Sequence, residues 1–256
     1  MSHVDDVQTR ALVLQTFPLK EQDKRFVLFS WTHGKIFGRA KGIRKLTSKL
    51  STSLEFFTES ELYLKPTRFS SEYWILQAKL ISSYPELKCN LKLISSLQLI
   101  AEILMQVLPE NDASIQTYQL VLKAVETLKT WGTYYQEIIS SFLMHFLKQS
   151  GYSLELQYCV VCQGKNKHNQ YFLDPMYGGL VGTTCEVTIK SKIVFSLQIS
   201  EYLKSMQKMN IHQVHILKIN LKLRYQILRV LLTYLELTIE KKLKMTEYFL
   251  NICQLP

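Results

Sequence analysis

The residues with chemistry to offer fall into three groups. Cys159-x-x-Cys162 is followed, after 22 intervening residues, by Cys185. A Cys-x-x-Cys turn places two thiolates on one metal, so this spacing points to zinc. From Lys35 to Leu54 come six cations, Lys35, Arg39, Lys41, Arg44, Lys45 and Lys49, without one acid. Gly34, Gly38 and Gly42 are interleaved among them, and Thr47, Ser48, Ser51 and Thr52 follow. Nucleic-acid phosphates want this mixture of charge, hydroxyl donors and close backbone approach. Trp31 and Phe37 add aromatic faces of the kind that stack on unpaired bases, although strand aromatics equally fill cores. The third group is Lys218, Lys222, Tyr225 and Arg229, at i, i+4, i+7 and i+11, offsets that share one face of a helix. A cationic, aromatic strip on an otherwise apolar helix suits an acidic and apolar peptide, a second nucleic-acid track, or plain solvent.

The elements that must position these groups are of two kinds. Over the first 80 residues the pattern alternates with a period of two: Ala11–Leu14, Arg25–Phe29, Lys35–Gly38, Glu61–Leu64 and Tyr73–Leu76 are short, β-branched or aromatic, and separated by turn residues. His33-Gly34 reads as a hairpin turn. Five short strands predict a small barrel or sandwich. Around Tyr84-Pro85-Glu86 the period becomes helical. Helices are expected over Leu91–Leu108 (stopped by Pro109), Ser114–Lys129, Tyr134–Gln149 (closed by Gly151) and Ser196–Met209, with one long helix from Val214 to about Met245. The expected division is therefore an α+β chain: 1–80 as the β domain, 81–256 as the helical domain, and 152–190 as a cysteine-containing insert.

Composition narrows the partners. The chain has 256 residues, 47% hydrophobic and 20% charged, which is the balance of a folded protein. Its net charge is +10, divided as +5 over 1–80, −1 over 81–185 and +6 over 186–256. Two basic ends around a neutral middle suggest positioned patches for a polyanion. The polar opening residues and the charges within Leu91–Leu108 predict a cytoplasmic chain without a membrane span. No phosphate loop, nucleophile elbow or zinc-peptidase helix is present, and no carboxylates cluster for metal-dependent cleavage, so an enzyme is not expected.

Ala11–Leu14, then Glu21–Arg25 ahead of a strand, then Thr32–Lys35, then Ala40-Lys41-Gly42-Ile43-Arg44-Lys45, resembles the start of the RecO family, recombination mediators of bacterial DNA repair. Leu54–Phe57, Cys159–Cys162, Tyr171-Phe172 and Gly178-Gly179 follow in matching order. The resemblance implies an N-terminal OB-fold β-barrel, an α-helical domain and a small, here degenerate, zinc-finger-like insert. It also implies binding of single- and double-stranded DNA, annealing of complementary strands, and help in loading RecA onto DNA coated by single-strand-binding protein. The implied partners are RecR and the acidic C-terminal tail of single-strand-binding protein, in a cytoplasmic, nucleoid-associated setting. The alternative is an OB-fold scaffold or nucleic-acid-processing subunit without annealing activity.

In the family pattern a second Cys-x-x-Cys supplies the remaining zinc ligands; here Gly182 stands where the third cysteine should be. Three readings stay open. His168 completes a Cys3His site, three cysteines hold the metal with an outside ligand or water, or zinc has been lost and Tyr158, Tyr171, Phe172, Leu173 and Tyr177 pack the loop instead.

Overall fold

The alternating segments become five strands in the computed structural model, which describes residues 6–45, 48–67, 70–164, 170–188 and 193–255. These are β1 (Val7–Pro18), β2 (Lys24–Ser30), β3 (Gly34–Ala40), β4 (Glu59–Pro66) and β5 (Glu72–Ser82). They close into a barrel of order β1-β2-β3-β5-β4, with β4 returning to β1. Every pairing is antiparallel except β3 with β5. This is an OB-like barrel. Period-two patterning puts Ala11, Val13, Phe26, Leu28, Ile36 and Ile75 in its interior. Gly34 turns β2 into β3 with φ +65°, and a Cβ there would sit 1.9 Å from the Asp112 carbonyl oxygen. Both the turn and the close approach of the 110–112 loop therefore require glycine.

The helical period yields α1 (Pro85–Lys88), α2 (Leu91–Val107), α3 (Ile115–Trp131), α4 (Tyr135–Gln149), α5 (Leu197–Lys208), α6 (Leu221–Thr238) and α7 (Lys244–Cys253). Gly151 follows α4 with φ +83°, and the Tyr152 N–H bonds back to the Leu147 carbonyl at 2.8 Å, a left-handed helix stop. Between α4 and α5 lies a small sheet of order β7-β6-β8, from β6 (Gln170–Asp174), β7 (Gly179–Val181) and β8 (Ile193–Ser196).

The single long helix expected from Val214 to Met245 is not formed. A 3-10 segment over Ile211–Ile216 comes first, and α6 starts only after Asn220, whose side chain accepts the Leu223 N–H at 2.9 Å. Glu240, with φ +52°, then separates α6 from α7. Side-chain capping at Asn220 and a left-handed residue at 240 break a periodicity that hydrophobicity alone would have continued.

The chain divides into two compact units: Met1–Asn90 with Leu97–Tyr118, and Leu91–Ser96 with Gln119–Pro256. The first therefore contains the barrel together with most of α2 and the start of α3. In the second, α4 is buried along nearly its whole length, and its Glu137 meets Arg224 of α6 at 2.8 Å. No helix among the described residues is long and apolar enough to cross a membrane.

Candidate nucleic-acid interface

Alternation along β3 puts Lys35, Phe37 and Arg39 on its outer face, all half-buried, with Ile36, Gly38 and Ala40 turned inward. Register then selects their neighbours. Arg25 of β2 stands opposite Arg39, while β5 brings Glu72 beside Phe37 and Trp74 beside Arg39. The Glu72 carboxylate is buried and accepts ion pairs from both arginines: Arg25 at 2.8 Å, and Arg39 through Nε. The Arg25 guanidinium lies 4.5 Å over the Phe37 ring, and the Lys41 ammonium 4.6 Å over Trp74. These are cation–π distances. The segment without an acid is thus compensated by a carboxylate from another strand.

The two ends of this face differ. At the Lys35 end, Lys35 Nζ donates to the Met105 carbonyl at 2.8 Å, and Asn111 N–H bonds to the Lys35 carbonyl at 2.9 Å. Trp31 packs edge-on against Tyr118, with ring centroids 5.3 Å apart, and Tyr118 also covers Phe29. Tyr118 in turn donates to Glu59 at 3.1 Å. Burial, and then the nearby Glu59, raise the Tyr118 phenol well above its ordinary value. Trp31 therefore belongs to a packed end of the first unit, whereas Phe37 stands with Arg25, Arg39, Lys41 and Trp74 at the other end.

The loop after β3 extends that second end. Gly42, with φ +62°, donates its N–H to the Asp23 carboxylate at 2.8 Å, and Arg44 N–H bonds to the Gln22 carbonyl at 3.2 Å. Ile43 is buried in the barrel core, so Lys41, Arg44, Lys45 and Lys49 are left exposed around it. The motif pieces Gln22-Asp23 and Gly42-Ile43-Arg44 are therefore one contact read in two places. Leu46 and Thr47 lie outside the described residues. Glu72 and Trp74 reach this face only through the β3–β5 register and Arg25 through the β2–β3 pairing, and no local pattern in the sequence displays either.

The third group is divided. Lys218 precedes α6, off the helix, and its carbonyl accepts the Tyr202 hydroxyl at 3.0 Å. Lys222 and Tyr225 line a groove of about 510 Å³ with Lys92, Arg224 and Leu221, the last of these 74% exposed. Arg229, one turn on, opens instead onto a smaller hollow of about 320 Å³ beside β8. Arg224 also carries the buried Glu137, whose carboxyl burial pushes up to about 7 against the opposing pull of that guanidinium.

The insert gathers its cysteines. The sulfurs of Cys159, Cys162 and Cys185 all lie within 4.8 Å of one another, and none is in a disulfide. Two backbone strips bring them together: Glu155 bridges Gly179, and Val160 N–H bonds to the Leu180 carbonyl at 2.8 Å. Gly179 is necessary there, since a Cβ would meet the Glu155 carbonyl at 2.7 Å. Gly182 N–H points at Cys159 Sγ, 3.4 Å away. Burial pushes the Cys159 thiol up, but the N–H groups of Gly182, Cys162 and Val161 outweigh it and bring the thiol down to about 7. A hydrogen bond with the Cys162 thiol, more than burial, pushes the Cys185 thiol up. His168 lies outside the described residues. Of the five side chains expected to pack this loop, Tyr171, Phe172 and Leu173 are buried, Phe172 in the small cluster with Cys159 and Val181, while Tyr158 and Tyr177 are exposed.

The chain thus combines a closed five-stranded OB-like barrel with a helical region that carries a cysteine insert. Residues 1–84 match the family model for the N-terminal part of recombination protein O, and residues 90–247 match that for its C-terminal part. A DNA repair protein RecO of Clostridium novyi is 28% identical over 94% of this chain and 93% of its own length. Another, from Dehalococcoides mccartyi, is 29% identical over 95% and 92%. A third, from a Thermoanaerobacter species, is 30% identical over 70% and 71%. The chain belongs to the RecO family.

Proposed function

We propose that this chain is a recombination mediator in DNA repair that binds single- and double-stranded DNA, anneals complementary strands and helps load RecA onto DNA coated by single-strand-binding protein. The observation that carries the reading is the exposed end of the barrel face. There, Arg25 over Phe37 and Lys41 over Trp74 adjoin the loop bearing Arg44, Lys45 and Lys49. Cations set over flat rings supply phosphate attraction and base stacking side by side, which is what sequence-tolerant binding of an unpaired strand needs. Lys35 and Arg39, each held by a neighbour, and Trp31, packed on Tyr118, serve that face by shaping it.

No bond is made or broken in this role. Among the described residues Cys159, Cys162 and Cys185 are the one group of three or more potential metal ligands close enough to share an ion. The groove at Lys222 and Tyr225, rimmed by cations and apolar at Leu221, is the place assigned to the acidic C-terminal tail of single-strand-binding protein. Lys218 and Arg229 lie outside it. RecR is the further partner, and the setting is cytoplasmic and nucleoid-associated.

The test is annealing of two complementary dye-labelled strands, followed by energy transfer without nucleotide or magnesium. The native chain is expected to accelerate it. Lys41→Glu, Arg44→Glu and Lys45→Glu together should remove the acceleration and weaken strand binding while circular dichroism stays native. Unchanged affinity in the folded triple variant would overturn the assignment of this face. No acceleration by the native chain would leave the scaffold reading.

A further inference from the structure

Glu137 is the buried ionisable group that packing explains least. Its side chain is 1% exposed in the first turn of α4, and both carboxyl oxygens are buried without a hydrogen bond of good geometry among the described residues. Its support is one cation, the Arg224 guanidinium, whose Nε stands 2.8 Å from Oε1. Burying such a pair often costs more in desolvation than the attraction returns. Ionisable groups held at that cost concentrate at functional sites.

Arg224 is the link to such a site. It lines the groove of about 510 Å³ with Lys92, Lys222, Tyr225 and Leu221, so one guanidinium borders both the buried acid and the place of the ligand. The side chain is fixed there: Nε also donates to the Ile219 carbonyl at 2.9 Å, and the guanidinium carbon lies 5.4 Å over the Tyr134 ring. With Glu137 ionised, the guanidinium is neutralised from within the protein. With Glu137 neutral, Arg224 adds a full positive charge to the groove wall beside Lys222. Burial holds the carboxyl at about 7, with Arg224 opposing, so this charge changes within the neutral range. The neighbouring groups do not share that titration: burial pushes Tyr135 up, and Cys253 up to about 11, so both keep their protons. His215, on the 3-10 segment, stacks on Trp131 with centroids 4.2 Å apart and reaches this corner through Tyr134, edge-on at 6.2 Å.

We propose that Glu137, acting through Arg224, is a proton-linked control on this groove: an acidic ligand engages the guanidinium that the Glu137 carboxylate otherwise neutralises, and Glu137 takes up a proton. The proposal rests on the reading of the groove as the seat of an acidic, apolar peptide. One proton from solvent joins one carboxylate oxygen, and no other bond changes. By linkage, what favours the proton favours the ligand, so affinity falls as pH rises through about 7. Two carboxylates competing for one guanidinium near the surface are worth about a five- to tenfold change in affinity.

The test is fluorescence anisotropy of the full chain with a dye-labelled synthetic peptide of aspartates ending in leucines. It runs at fixed ionic strength from about pH 5.5 to 8.5, where the aspartates stay ionised. The native chain is expected to bind about five- to tenfold more weakly at the alkaline end. Glu137→Gln should keep the acid-end affinity throughout, His215→Asn should keep the native profile, and Lys222→Glu should weaken binding at every pH. Calorimetry of the native chain in two buffers of different ionisation enthalpy should show uptake of about half a proton per peptide near pH 7.5. That measurement decides the matter should Glu137→Gln fail to fold. Binding without pH dependence or proton uptake would overturn the control and leave the groove reading standing. A profile that survives Glu137→Gln but vanishes in His215→Asn would overturn the control equally. No binding at any pH, or binding that Lys222→Glu leaves unchanged, would overturn the groove reading and the control with it.

Discussion

Both Arg25 and Arg39 reach the one carboxylate of Glu72, so the positive charge that the proposed DNA-binding face presents depends on this buried acid. Glu72→Gln should tighten strand binding and steepen its dependence on salt by about one counterion. It should also lower stability by about 1 kcal/mol, because Arg25 and Arg39 both lose an ionised partner at partly exposed sites. Fluorescence anisotropy across a salt series and a urea melt read the two effects; weaker binding would show that Glu72 orients the arginines rather than masking them. Glu137 makes a second residue-scale case. Its carboxyl is held at about 7 by burial, with Arg224 opposing, above the ordinary 4.5. The folded state therefore holds the proton more tightly than the unfolded chain, and stability should fall as pH rises from about 4.5 through 7, then level off. A shift of that size is worth on the order of 3 kcal/mol. Glu137→Gln should flatten the slope in thermal melts over that window, and an unaltered slope would place the titration elsewhere.

At the scale of elements, the loop after β3 shows how position and charge can be told apart. Asp23 accepts the Gly42 N–H, and Ile43 sits in the barrel, so Arg44 and Lys45 are presented by anchors on either side. Asp23→Ala adds one positive charge to the surface yet frees the loop. Simple electrostatics predicts tighter DNA binding, whereas anchoring predicts weaker binding and a stability loss of about 1.5–3 kcal/mol, typical for a hydrogen bond to a charged group. The second outcome is expected, by anisotropy and by denaturant melt. This contact also marks how far sequence reached. The strands were legible from alternation, clearest in β3 and β4 where every second residue is buried, and the Gly151 stop from its place after an apolar helix. The β3–β5 pairing was not, since parallel neighbours as far apart in sequence as Phe37 and Glu72 share no local pattern, and with it went Trp74 and Glu72. The break at Asn220 carried a signal, a capping residue type ahead of Leu221, but it sat inside an apolar run that continued on both sides.

At the scale of the whole chain, charge of +5 over residues 1–80 and +6 over 186–256 can serve one polyanion or two different ones. The side chains around the second patch favour two. Lys222 and Tyr225 border a groove with Leu221 exposed, and Arg224 there is already committed to Glu137 and to the Tyr134 ring, 5.4 Å below it. A duplex or strand track needs a continuous cationic path, while a short acidic tail needs one cation beside an apolar hollow, which is what Lys222 and Leu221 offer. Lys222→Glu with Tyr225→Ala should therefore weaken an acidic, apolar peptide by about tenfold, the usual scale for losing one charge and one aromatic anchor from a small interface. Annealing of bare strands should stay near the native rate, while annealing of strands coated by single-strand-binding protein falls. Loss of bare-strand annealing in this variant would mean that the second patch is a DNA track, and that both basic ends of the chain act on the same partner.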